Sequence, residues 1–204
     1  VAENAEVDPD NKLYWRYDRR RLDAETIRDC MLAASGNLRH DRPTAHPFPP
    51  QHQWRFTQHA PFKAVYQSRH RSVYLMTQRV QRHPFLGIFD GADTNVSTDK
   101  RTQSIIPQQA LYLMNNPFVR EQARGFAQRL ITASESTEQR IEQAHRVAWG
   151  RSAHEPEIEK GRRYIETYKK QLEADGAKPT EIDQEAWTSF ARIMFMSNEF
   201  LCVE

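Results

Sequence analysis

PQQALYLMNNPFVREQARGFAQRLI, from Pro107 to Ile131, carries the pattern that decides the fold. Pro107 suits a first helical turn, where its missing N–H is one of the donors a helix leaves unpaired anyway, and Ala110, Leu111, Leu113 and Met114 follow as good helix formers. Asn116-Pro117 then restarts the chain, with Asn116 as the cap and Pro117 at the first helical position. Val119, Ala123, Phe126, Ala127, Leu130 and Ile131 recur at the helical period beyond it. The stretch predicts two consecutive helices joined at a bend.

The same reading extends in both directions. Towards the C-terminus, Ser136-x-x-Gln139 is a capping-box pattern ahead of Ile141, Ala144, His145 and Ala148, and Gly150 stops that run. Pro156 starts another, with Ile158, Gly161, Ile165, Tyr168 and Leu172 on one side until Asp175-Gly176. Ile182, Ala186, Phe190, Ile193, Met194, Ser197 and Leu201 form the stripe of a last helix. Towards the N-terminus, LDAETIRDCMLAASG (Leu22 to Gly36) begins on Asp23 as cap and ends on Gly36, with Ile27, Cys30, Met31 and Ala34 on one face. About six helices with short connections predict an all-α bundle. At most a minor β element is expected, its best strand candidate being RSVYLMTQ (Arg71 to Gln78).

The chain is read as a single helical domain over 1–204, with a flexible N-terminal tail over 1–10. A proline/aromatic-rich loop over 37–70 excludes regular helix there by its proline density. Trp54, Phe56, Phe62 and Tyr66 are expected to anchor that loop through buried apolar area.

A composition of 38% hydrophobic and 27% charged residues excludes a collagenous or wholly disordered chain. No apolar run reaches the roughly 18 residues that span a bilayer, so no membrane span is expected in this chain. A net charge of +2 is too near balance to argue for nucleic acid. Cys30 and Cys202 occur without any CxxC, which gives thiolate zinc and c-type haem attachment no support, and leaves them as buried small residues or as a pair.

Several strings, taken together and in order, resemble a known family. They are DPDNKLYWRYDRRRLDAETIRD (Asp8 to Asp29), RSVYL (Arg71 to Leu75), FDGADTNVSTDKRTQSIIPQQALYLMNNPFV (Phe89 to Val119) and SNEFLCVE (Ser197 to Glu204). The resemblance is to the planctomycete-specific PSD-one type domain of unknown function, the C-terminal region of large surface proteins that often carry a cytochrome c domain. It implies an exported, periplasmic or cell-surface protein with neighbouring domains as partners, one of them haem-bearing, and it carries no assigned activity.

Four groups of residues point to chemistry. Trp15, Arg16, Tyr17, Arg19 and Arg20, with Arg21, mix aromatic and basic side chains in the way that holds sulfate or phosphate groups and stacks on rings, and Trp54 and Phe56 add further stacking surface. The plainer alternative is that Asp18, Asp23 and Glu25 neutralise this cluster locally. Asp90, Asp93, Arg101, Gln108 and Asn115 interrupt an apolar stretch. They form either a structural polar network or, with Asp90 and Asp93 as two carboxylates and Arg101 positioning substrate, the acid/base pair of a glycan-active hydrolase. Asp93, Asn95, Ser97 and Asp99 alternate like half of a calcium loop, but Thr98 and Ser104 stand where its glycine and glutamate belong. The histidines contain no HExxH, and no GxSxG occurs, so neither a zinc hydrolase nor a serine nucleophile has a positive motif. No cofactor is expected in this chain. These features predict a non-catalytic module that binds polysaccharide or docks neighbouring domains. The hydrolase is the alternative, and structural support of a cytochrome c electron-transfer partner is a second one.

Overall fold

The computed structural model describes residues 2–44, 52, 67–79, 82–97 and 99–203. Trp54, Phe56, Phe62, Tyr66 and Thr98, and with them most of the proline-rich loop, lie outside the described residues. Nine α-helices are found among the described residues: α1 (Ala2–Val7), α2 (Ala24–Ser35), α3 (Pro84–Ile88), α4 (Pro107–Asn115), α5 (Pro117–Ala133), α6 (Thr137–Trp149), α7 (Glu155–Ala174), α8 (Pro179–Met196) and α9 (Asn198–Leu201). The expected all-α architecture is what the chain adopts.

Local chemistry accounts for the element ends. The Asn116 side chain accepts from Phe118 N at 2.9 Å, and the backbone turns there so that α4 and α5 meet at a bend. Ser136 caps α6 by accepting from Gln139 N, and Gly36 and Gly150 close α2 and α6 in the left-handed conformation that favours glycine. At the start of α7 the Glu157 carboxylate accepts from His154 N at 2.8 Å, one of the donors a helix start leaves free.

The core is built around α5. One of its faces, through Val119, Ala123, Phe126, Ala127 and Leu130, packs on α8 most extensively and then on α2. α8 answers with Ala186, Trp187, Ala191, Met194 and Phe195, and Phe126 stacks on Phe195 at 5.6 Å. Each of these larger side chains stabilises the fold by roughly 1.5–3 kcal/mol through burial. Gly125 lets α5 run close to the end of α2, since a Cβ there would stand 3.2 Å from Ser35 Cβ.

Two short strands tie the ends of the sequence together. β1 (Arg20–Arg21) pairs antiparallel with β2 (Cys202–Val203), and Leu22 N donates to Leu201 O at 2.8 Å.

Two expectations are corrected. The strand expected over Arg71–Gln78 is a 3-10 turn at Ser72–Tyr74, because Ser72 is seized by polar partners: its N–H and hydroxyl both donate to Asp29 Oδ1, leaving Val73 exposed. The last helix does not run through Leu201. It breaks at Ser197, whose hydroxyl donates to Met194 O and accepts from Phe200 N to start α9, and Ile193 falls on the solvent side of the stripe. Over the first ten positions, read as a flexible tail, the described residues form the exposed α1 and then bury Asp8.

Candidate functional site

Asp8 to Asp18 fold into a tight knuckle before β1. The Asp8 carboxylate accepts from Lys12 N and Leu13 N, and its carbonyl accepts from the Trp15 indole N–H at 2.8 Å. Buried Asn11 cross-ties the turn: its amide donates to Arg16 O and to Asp18 Oδ1, and its oxygen accepts from Arg16 N. The cost is visible in the backbone, since Asn11 and Tyr14 both take the left-handed region, with φ of 53° and 54°. Asn tolerates that region, whereas a bulky Tyr does so only when surrounding bonds over-determine it.

That backbone displays side chains outward. Tyr14 is 86% exposed, Leu13 and Tyr17 are also exposed, and the exposed Arg16 stacks over the Trp15 ring at 5.1 Å. Trp15, expected as a stacking surface, is instead the brace of the knuckle, held by Asp8 and covered by Arg16. Tyr14 is the most exposed aromatic ring among the described residues, a placement that no spacing rule reveals. Arg19 and Arg20, further along the chain, are exposed, and Arg19 also borders a second cleft. Arg21 leaves the cluster altogether.

Arg21 turns inward to Asp90. Its Nη2 lies 2.6 Å from Asp90 Oδ2, and it also donates to Phe89 O and Ser104 O. The Asp90 carboxylate accepts from Ser104 N and the Ser104 hydroxyl at 2.8 Å each, and buried Gln109 donates to Ile88 O and Ser104 O. Burial alone would raise the Asp90 carboxyl, but the Ser104 donors and Arg21 outweigh it and hold its pKa below the ordinary value. The backbone of Asp90 is itself left-handed, at φ 58°. This is a lock that pins the chain before α4 to β1.

The membership of the expected polar network changes accordingly. Arg101 pairs with Glu25 through two contacts of 2.6 and 3.1 Å, Gln108 is exposed while its neighbour Gln109 is buried, and Asn115 donates to Leu111 O on its own helix. Asp93 accepts from Asn95 N, which, ahead of an ion pair with Arg82, lowers its pKa. Asp99 accepts from Lys100 N, and Asn95 and Ser97 are exposed. Among the described residues no group of three or more His, Cys, Asp or Glu could hold a metal ion, and no helix is long and apolar enough to cross a membrane.

A cleft of about 510 Å³ opens where α2, α3 and the α4–α5 junction meet. Arg28, on the core-facing side of α2, is 4% exposed and donates to His70 O, Ser72 Oγ and Ser68 O. Its guanidinium lies 5.2 Å from the Phe118 ring centre. His83 lines the same cleft with a buried Nδ1 that has no hydrogen-bond partner. Burial, then the nearby Arg28 charge, lowers the His83 pKa to about 4, so its ring is neutral at pH 7. Tyr112 completes the set, its hydroxyl pKa raised by burial. Sequence reasoning missed this cleft. The signal was Arg28 in line with Ala24 and Leu32 at i, i+4 spacing, a charge on a face that the core claims.

Cys30 and Cys202, 172 positions apart in sequence, line one second cleft of about 550 Å³ with Trp149 and Phe200, both as free thiols. Burial and the neighbouring Asp29 raise the Cys30 thiol pKa. His145 is buried, with Nδ1 2.9 Å from Ile141 O and its edge against Trp149, as a satisfied core histidine.

No curated protein and no solved structure matches the chain. The PSD1 family model, described as "Protein of unknown function (DUF1553)", matches residues 1–165, which run from α1 into the middle of α7. The knuckle, the Asp90 lock and the Arg28 cleft all fall within that match, and the chain belongs to the PSD1 family of proteins of unknown function.

Proposed function

We propose that this chain is a non-catalytic binding module that takes an anionic polysaccharide on the knuckle between Asp8 and Arg20. The observation that carries this reading is Tyr14, an aromatic ring 86% exposed on a left-handed backbone that Asp8 and Asn11 hold in place. A ring held open in this way is preorganised to stack, and exposed Arg16, Tyr17 and Arg20 follow it in sequence with a second ring and two cations. Guanidinium groups pair with sulfate or carboxylate on a sugar chain, while rings stack on its apolar faces. The lowered pKa values of Asp90 and Asp93 favour this reading over a glycan hydrolase, whose acid needs a carboxyl raised towards neutrality.

A second reading, docking of a neighbouring domain of an exported parent protein, draws on a different surface. Ile105 is 94% exposed, Leu111 and Met114 of α4 and Ile193 of α8 are open to solvent, and Arg192 of α8 donates to Met114 O. Exposed apolar side chains on α4 and beside it favour contact with protein.

The readings separate in one binding experiment, with the purified chain titrated with dextran sulfate and with neutral dextran at increasing salt. Dextran sulfate is expected to bind, to weaken as salt screens the arginines, and to lose about tenfold in affinity in Arg16→Ala/Arg20→Ala. Absence of binding, or affinity unchanged in that double variant, would overturn the polysaccharide reading and leave the α4 surface as the functional one.

A further inference from the structure

The second cleft is lined from α2, the end of α6, α9 and β2, and both of the chain's cysteines are among the nine residues that line it. Neither is fully buried, although a cysteine that serves only as a small apolar filler normally is. The fold thus brings to one place, from 172 positions apart, the two side chains of this protein that can undergo thiol–disulfide exchange. Zinc, the other common use of paired cysteines, needs further ligands. Among the described residues no group of three or more His, Cys, Asp or Glu supplies them, and Glu199 at this cleft is already held by Arg151 at 2.5 and 3.0 Å.

The two cysteines differ in how they are held. Cys30 stands in the middle of α2, a 12-residue helix whose Ile27, Met31 and Ala34 are locked in the core. Cys202 stands in β2, a strand of two residues anchored by its pairing with Arg20–Arg21 and by the four-residue α9 before it. A disulfide needs Cα atoms roughly 4.4–6.8 Å apart, and β2, with few bonds to break, is the element that closes on α2 to meet that demand.

We propose that Cys30 and Cys202 are a redox pair, closed by an external small-molecule disulfide such as oxidised glutathione, and that the bond ties β2 to α2. The Cys202 thiolate attacks one sulfur of the external disulfide, forming a mixed disulfide and releasing one thiolate. The Cys30 thiolate then attacks Cys202 Sγ, which closes the intrachain bond and releases the second thiolate. The two cysteine protons end on the released thiolates, so two cysteine thiols are oxidised and one external disulfide is reduced to two thiols. Burial and Asp29 raise the Cys30 thiol pKa, which places it second in this order: slow towards a free reagent, it acts on a sulfur already delivered to the cleft. The closed bond fixes β2 and with it β1, the strand that carries Arg21 inward to Asp90. It also removes from the unfolded chain the freedom of a loop 172 positions long. None of this depends on polysaccharide binding at the knuckle.

The test is incubation of the intact, reduced chain with oxidised glutathione under native conditions at pH 8, read by mass spectrometry and thermal melting. The chain is expected to lose two hydrogens, and tryptic digestion to release Asp29–Arg39 joined to Ile193–Glu204. The melting midpoint is expected to rise by about 5 °C or more, to return with dithiothreitol, and to stay unshifted in Cys30→Ser and in Cys202→Ser. Glutathione adducts that persist on both cysteines, bonds between separate chains, thiols that stay free, or an intrachain bond that leaves the midpoint unchanged would each overturn the proposal.

Discussion

Asp90 and Asp93, three positions apart, behave as different kinds of residue. Asp90 neutralises Arg21, whose side chain is only 8% exposed, whereas Asp93 sits in an open turn. Asp90→Ala would strand a buried guanidinium and is expected to cost about 3 kcal/mol by chemical denaturation, while Asp93→Ala, whose Asn95 and Arg82 contacts lie at the surface, should shift the midpoint far less. With the Asp90 pKa below its ordinary value, the stabilisation is fully present above pH 4 or so and disappears as acid protonates the carboxylate. His83 shows the same sign of pH dependence for a different reason. Its folded pKa of about 4 lies below the ordinary 6.5, because burial and then Arg28 disfavour the imidazolium. Between those values the unfolded chain binds the extra proton, so stability is complete above pH 6.5 and declines as pH falls towards 4. Melting curves over that window should show the decline in the native protein and a flatter profile in His83→Leu; equal slopes would contradict the assignment. At this scale the sequence placed Asp90 in a polar network with Arg101, and in the structure its arginine is Arg21. Arg101 is nearer in sequence, and only the β1–β2 pairing, which carries Arg21 inward, makes the actual partner visible.

Helices were legible because their ends are written in local chemistry. Asn116-Pro117, Ser136 and the glycines at 36 and 150 act within a turn of their own positions, so no tertiary information is needed to place them. Burial between elements was less so. Ile193 has helical spacing with Phe190 and Met194 yet faces solvent, and Ser72 gives up extended structure to Asp29, 43 residues away. Gly125 belongs to this level. It interrupts α5, where glycine costs about 1 kcal/mol relative to alanine, and the return is the close approach to Ser35 and Asn37. Gly125→Leu is expected to wedge α2 from α5 and lower stability by about 1–3 kcal/mol in spite of better helix propensity, measured by thermal or urea unfolding.

For the whole molecule, α8 is decisive although the family match stops in α7. It covers the face of α5 that carries Phe126, and Trp187 lies fully buried against it and its neighbours. A chain ending at Gly176 would leave that face bare and lose the β1–β2 tie, so calorimetry should show no cooperative transition; a sharp transition would show that the core closes without α8. The mostly helical character followed from composition and periodicity, but the display of Tyr14 did not, since it depends on a turn held by Asp8 and Asn11 rather than on any repeat. Nuclear magnetic resonance of the isotope-labelled chain titrated with dextran sulfate tests whether the knuckle is the binding surface. Amide shifts are expected to concentrate between Leu13 and Arg20 and to vanish in Tyr14→Ala/Tyr17→Ala, whereas shifts centred on α4 or on the Arg28 cleft, or none at all, would contradict it.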